Sequence, residues 1–199
     1  MGGVMLRRVM LLLVMVSAIQ VQAADEERAV AIVNSVCKVC HGADGESSSA
    51  IYPRLAGQSA VYISRQLEDF KSGRRKGTMN DIAANLEPDE MVALGKYCSS
   101  KPTKSHRALD PDFTAVGKYI YHNGNQWSGV AACASCHGEE GAGTDELPRI
   151  AGQHMRYLVS QLREFNERER TDENAIMSSI ATKLTPMEIE AVARYLSGI

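Results

Sequence analysis

Downstream of residue 24, apolar side chains recur at helical spacing. Val30, Val33, Val36 and Cys37 form one stripe and predict a helix over residues 29–40. A second stripe runs through Tyr62, Gln66, Leu67 and Phe70, and it reappears as Tyr157, Gln161, Leu162 and Phe165. A third stripe is Met91, Leu94, Gly95 and Cys98, repeated as Ile189, Val192, Ala193 and Leu196. Its second copy opens on Thr185-Pro186-Met187-Glu188, which reads as an N-cap, a proline at the first helical position and a glutamate closing a capping box. Gly-rich segments follow the first stripe, at His41-Gly42-Ala43-Asp44-Gly45 and His137-Gly138-Glu139-Glu140-Gly141. No alternating run of useful length occurs, so the predicted class is all-α.

The pattern of the first 23 residues is different. Arg7 and Arg8 precede a run from Val9 to Ile19 that is apolar except at Ser17. Val21-Gln22-Ala23 then places small residues where a signal peptidase reads. The segment predicts a secretory signal cut after Ala23, and hence a periplasmic protein. A retained anchor is the rival reading, but the run is short for a bilayer span.

The remaining chain is two related halves. Pro53-Arg54-Leu55-Ala56-Gly57-Gln58 returns 95 residues later as Pro148-Arg149-Ile150-Ala151-Gly152-Gln153. Met79, Ile82, Ala83, Leu86 and Pro88 return 98 residues later as Met177, Ile180, Ala181, Leu184 and Pro186. Each copy therefore tests the reading of the other. The predicted organisation is a signal over 1–23, a domain over 24–98, a linker over 99–111 and a second domain over 112–199. The linker has no repeat partner and carries two prolines and several basic residues.

The chemistry lies at the ends of the first stripe. Cys37-Lys38-Val39-Cys40-His41 returns 96 residues later as Cys133-Ala134-Ser135-Cys136-His137. In an exported chain, Cys-x-x-Cys-His is the attachment signal of c-type haem. Two cysteines one helical turn apart can each add to a vinyl group of one porphyrin, and the adjoining histidine can then face the iron. Two motifs predict two covalently attached haem c groups, with His41 and His137 as proximal ligands. A zinc ribbon would need the cysteine pairs to converge with a short separation, and a dithiol redox site would need a βαβ setting. Neither pattern is present.

A second axial ligand would close each iron and suit electron transfer, and a thioether favours the ferrous state. Met1, Met5, Met10 and Met15 leave with the signal, while Met91, Met155 and Met187 match non-methionine positions in the other half. Met79 and Met177 match each other, 38 and 40 residues after their histidines. They are the predicted distal ligands. His106, His122 and His154 have no counterpart histidines and are not assigned to iron.

Composition adds little to this picture. Three Phe and one Trp leave few aromatic residues for a core, and a porphyrin would supply the missing apolar mass. Loss of Arg7 and Arg8 with the signal takes the formal charge from −2 to −4, which argues against nucleic acid as a partner. Cys98 stands where the other half has Leu196, so a packed structural thiol is expected rather than a cross-link.

Taken together, both Cys-x-x-Cys-His motifs, both Pro-Arg-(Leu/Ile)-Ala-Gly-Gln blocks, the Tyr-x-x-x-Gln-Leu helices and the Met79 and Met177 segments resemble the di-haem class I c-type cytochromes of the cytochrome c₄ family. The resemblance runs from about Asp25 to the C-terminus. It implies two cytochrome c domains in tandem, each wrapped around one haem. It further implies that the carbonyls of Pro53 and Pro148 accept the ring N–H of the proximal histidines. The implied function is electron transfer without substrate chemistry of its own, between respiratory redox partners and toward a terminal oxidase. The alternative is a cytochrome subunit of a periplasmic sulfide, thiosulfate or alcohol dehydrogenase. Membrane oxidases or reductases and periplasmic dehydrogenases are the implied partner classes, and loose membrane association is compatible with the family. Cys98 falls outside the family pattern. Arg54 and Arg149 are candidates for pairing with haem propionates, with a solvated surface pair as the alternative.

Overall fold

The computed structural model describes residues 25–104, 106, 111–170 and 175–199. The expected signal segment lies outside the described residues, as does part of the expected linker. The first half contains α1 (residues 25–41), α2 (Ala60–Lys71), α3 (Met79–Ala83) and α4 (Pro88–Ser99). The second contains α5 (Pro111–Asn123), α6 (Ala134–His137), α7 (Met155–Asn166), α8 (Ile176–Ala181) and α9 (Pro186–Leu196). Among the described residues the β-structure amounts to an isolated bridge between Asn125 and Val130. Ser99 and Pro111, the ends of the expected linker, are helical residues that close α4 and open α5.

Each half has its own core, built from the predicted stripes. In the first, Ala29 and Val33 of α1 meet Ile63 and Leu67 of α2 and Met91, Leu94 and Cys98 of α4. In the second, Ile120 and Tyr121 of α5 meet Leu158 of α7 and Ile189, Val192 and Leu196 of α9. The α5–α9 crossing is so close that a Cβ at Gly117 would stand 1.9 Å from the Ala191 carbonyl oxygen. Glycine at this position allows the helix backbones to touch.

The capping box of α9 forms as its sequence predicts. Thr185 Oγ1 accepts from Glu188 N (3.3 Å), and Glu188 Oε2 accepts from Thr185 N (2.8 Å). The first copy has an equivalent return contact, Glu87 N to Glu90 Oε2 at 2.6 Å, although Glu87 is an unusual capping residue.

The halves deliver their cysteine motifs in different ways. α1 is continuous, but Val33–Cys37 is a π-helical turn that ends on the first cysteine of the motif. Such single-turn bulges gather at functional positions because they rotate the following residues on the helix face. In the second half the helix stops at Asn123. Gly124 takes φ +70°, and the chain closes the Asn125–Val130 bridge before restarting at Ala134. A side chain at Gly124 would meet Val130 O at 2.2 Å. The Gly124–Ser128 stretch is therefore a loop that replaces the π-turn.

The halves dock through the repeated Pro-Arg-(Leu/Ile)-Ala-Gly-Gln blocks. Gln58 Nε2 donates to Arg149 O, and Arg149 N donates to Gln58 Oε1, both at 2.8 Å. Gln153 does the same to Arg54, at 2.9 and 2.8 Å. Both glutamines are buried, so each amide matches a backbone N–H and C=O that would otherwise be orphaned. The arginines of these blocks serve the same contact. Arg54 Nη1 donates to Gly152 O (2.5 Å) and Arg149 Nη2 to Ala56 O (2.7 Å), while Glu46 lies 3.4 Å from Arg54 Nε. The surface pair entertained for Arg54 and Arg149 is corrected, since both guanidiniums reach carbonyls across the domain boundary. Their use there also weakens their candidacy for propionates.

Candidate haem sites

Each proximal site is built from a helix end and a fixed loop. His41 and His137 close α1 and α6, and each is only 7% exposed. His41 Nδ1 lies 3.0 Å from Pro53 O, and His137 Nδ1 lies 3.1 Å from Pro148 O. A carbonyl can only accept, so Nδ1 carries the proton and Nε2 keeps its lone pair. Burial lowers the pKa of both rings, against the contrary pull of the Pro53 and Pro148 carbonyls, and this favours neutral imidazole. The loops that present these carbonyls are pinned. Leu55 N and Ala56 N donate to Gly45 O, and Ile150 N and Ala151 N donate to Gly141 O.

None of the four motif cysteines is committed to a disulfide. Cys37, Cys40 and Cys133 are half-buried, and Cys136 is exposed. Cys37 packs against the first core and Cys133 against the second. Before haem is attached, burial holds the Cys37 thiol above its ordinary value and pushes Cys133 to about 11.

Met79 opens α3, and Met177 is the second residue of α8. Both are half-buried, and Met79 packs against the first core alongside Cys37. The short helices that carry them lie on α2 and α7. The donor set suits haem c: a neutral imidazole with a free Nε2, two thiols beside it, an apolar core and a thioether on a separate arm of the same half.

Cys98 is 6% exposed and sits in the first core. Burial pushes its thiol up to about 12. The backbone confirms the match to Leu196, because Gly57 N donates to Cys98 O just as Gly152 N donates to Leu196 O. The remaining histidines make structural contacts. His154 Nε2 donates to Ser47 O across the domain boundary (2.7 Å), and His106 Nε2 lies 3.4 Å from Glu46. His122 bridges Glu139 and Tyr195, at 3.0 Å to each. Sequence reasoning missed Tyr121, which is fully buried and donates to Gly138 O at 2.5 Å, bracing the residue after His137. The 96-residue offset of the cysteine motifs places Asp25 opposite it, so the repeat offers no matching signal.

Comparison with known proteins agrees with this construction. The family model described as cytochrome c matches residues 26–120 and again 115–199. Cytochrome c4 of Thiocapsa roseopersicina is 38% identical, with 89% of this chain and 94% of that protein covered. The thiosulfate dehydrogenase electron acceptor of Stutzerimonas stutzeri is 34% identical, with 92% and 89% covered. The crystal structure of reduced recombinant cytochrome c4 from Pseudomonas stutzeri superposes with a TM-score of 0.83 at 33% identity, covering 87% of this chain and 97% of that one. Two tandem matches, relatives aligned over nearly their whole length and a shared fold make this chain a member of the cytochrome c family, a di-haem electron carrier of the cytochrome c4 type with two covalently attached haem c groups and redox proteins as its partners.

Proposed function

We propose that the first haem is held by thioethers from Cys37 and Cys40 with its iron between His41 and Met79, and the second by Cys133 and Cys136 with its iron between His137 and Met177. The observation that carries this assignment is the pair of buried histidines, each with Nδ1–H committed to a proline carbonyl. That bond fixes ring orientation and tautomer and keeps Nε2 available for metal. Haem c supplies a one-electron iron couple. The protein supplies rigid ligation, so little geometry changes with oxidation state, and a docked pair of halves that keeps two redox centres in one molecule. On this reading residues 24–98 and 112–199 are the haem domains, 99–111 joins them, and export to the periplasm removes residues 1–23.

Met79→Ala tests the ligand assignment. The oxidised protein should show a methionine-to-iron charge-transfer band, and the variant should lose about half of it while keeping two haems by pyridine haemochrome. An unchanged band would move the ligand elsewhere.

The partners are proposed to be respiratory, with electrons passed toward a terminal oxidase. A second reading, electron acceptor of a periplasmic dehydrogenase, is favoured by the similarity to the thiosulfate dehydrogenase electron acceptor. Purification separates them: a carrier isolates alone, whereas a dedicated acceptor brings a stoichiometric dehydrogenase with it.

A further inference from the structure

The two methionine arms are anchored differently at the end that carries the sulfur. In the first half Asn80, the residue after Met79, ties three backbone groups together. Its Oδ1 accepts from Gly77 N (2.7 Å), and its Nδ2 donates to Phe70 O (2.6 Å) and to Arg75 O (2.8 Å). One side-chain amide thus joins the end of α2, the loop after it and the first turn of α3. The 98-residue offset of the methionines puts Ser178 in the place of Asn80. Ser178 is 6% exposed, and among the described residues its Oγ has no hydrogen-bond partner. A hydroxyl is too short to span three backbone groups, and burying it unpaired is unfavourable.

The approach to the second arm is also strained. The chain leaves α2 and α7 through the same bond, Gly73 N to Phe70 O and Arg168 N to Phe165 O. Gly73 turns there at φ +76°, whereas Arg168 does so at +60° with a side chain attached. Two residues before the methionines, Gly77 is matched by Ala175, which takes φ +52°. Left-handed backbone is costly for a residue that carries a Cβ. Ala175 is exposed, so packing does not offset the strain. Beyond the methionines the arms do not differ in this way. Lys71 Nζ donates to Leu86 O and Asn166 Nδ2 donates to Ala181 O, so each arm is tied back to its long helix. The inequality is therefore local to the residues that flank Met79 and Met177.

We infer that Asn80 is the positioning residue of Met79, and that Met177, whose neighbour Ser178 makes no such clamp, is the displaceable ligand, so that the second iron is a binding site for a small uncharged nitrogen base. This rests on the ligand assignment proposed above. The exchange is a substitution: the bond from Met177 Sδ to iron breaks, a ring-nitrogen lone pair replaces it, and no electron is gained or lost. Imidazole is the natural probe, since its nitrogen suits iron. Apparent affinity scales with the fraction of molecules whose arm is released, so a clamp worth about one net hydrogen bond alters it about tenfold.

The test titrates the oxidised di-haem protein with imidazole and follows the methionine-to-iron charge-transfer band. Met79→Ala and Met177→Ala each leave one methionine to report. A band halved in both upholds the ligand assignment whatever the order of binding, so the two readings fail separately. The parent band should fall in two equal steps. The Met177 step, read in Met79→Ala, should come at an imidazole concentration about tenfold below the Met79 step, read in Met177→Ala. Coincident steps, or Met79 displaced first, would overturn the inference. Asn80→Ser should lower the Met79 step about tenfold and leave the Met177 step in place. A merely structural Asn80 would lower the urea midpoint with both steps unmoved, and that result would refute the positioning role. Where Asn80→Ser retains fewer than two haems by pyridine haemochrome, Asn80→Asp takes its place, keeping the acceptor for Gly77 N and losing both donations; an unmoved Met79 step then refutes the role. Ala175→Gly relieves the backbone and should raise the Met177 step, and no rise would count against the strain as a cause of release.

Discussion

Replacing Gln58 by alanine should loosen one half from the other without unfolding either core. The side chain satisfies the N–H and the C=O of Arg149 at 2.8 Å each, and its Oε1 also accepts from Ser59 N at 3.0 Å. Truncation leaves two backbone groups of Arg149 unpaired in a buried contact. Each such group costs about 1–3 kcal/mol, and water entering the gap recovers part of it, so a loss of about 3 kcal/mol is expected. With a urea slope of about 2 kcal/mol/M, the midpoint should fall by about 1.5 M. The assay is urea denaturation followed at a haem band and by far-UV circular dichroism. The parent should unfold in one transition, and the variant in two, as the halves lose their mutual support. Gln153→Ala should act alike, since it removes the equivalent bonds to Arg54. The double variant should be less than additive, because both pairs belong to one docked surface. A single transition with an unchanged midpoint in Gln58→Ala would refute the claim that these amides hold the halves together.

Gly117→Ala should destabilise the second half by about 3 kcal/mol, the upper range for overpacking, because the clash is with backbone at Ala191; thermal unfolding resolved by half is the check. Cys98 should resist maleimide in the native protein at pH 8 and react only on unfolding, as mass spectrometry would show, since burial pushes its thiol up to about 12. His154 gives a pH prediction. Burial first, with Arg54 and His106 in the same direction, lowers its folded value below 6.5 despite the opposing Ser47 carbonyl and Glu46. The fold thus prefers the neutral ring, and its contribution is full above pH 6.5 and lost as pH falls below that value. Urea midpoints at pH 7.5 and pH 5 should differ more in the parent than in His154→Gln.

The helices and haem motifs were legible because they leave periodic or contiguous marks. The stripes of α2, α4, α7 and α9 recur in both halves, and Thr185 with Glu188 announces its own cap. Duplication singled out Met79 and Met177 among nine methionines. The partners of the repeated blocks could not be read in the same way. Gln58 and Arg149 are 91 residues apart, and Gln153 and Arg54 are 99 apart, so their pairing exists only after both halves have folded. The sequence pattern marked Arg54 and Arg149 as special but could not say that they face each other's loops. Nor does periodicity distinguish the π-turn of α1 from the bridged loop after α5, since either can bring a cysteine pair to the same place.

The glutamine clasps are exchanged between equivalent blocks, and this reciprocity has a consequence beyond a single molecule. Nothing in the clasp specifies that its two sides come from one polypeptide, so only the short tether makes a chain choose itself over its neighbour, by raising local concentration. Shortening that tether below the span it must cross should turn closed monomers into swapped dimers, with each N-terminal half seated on the C-terminal half of another chain.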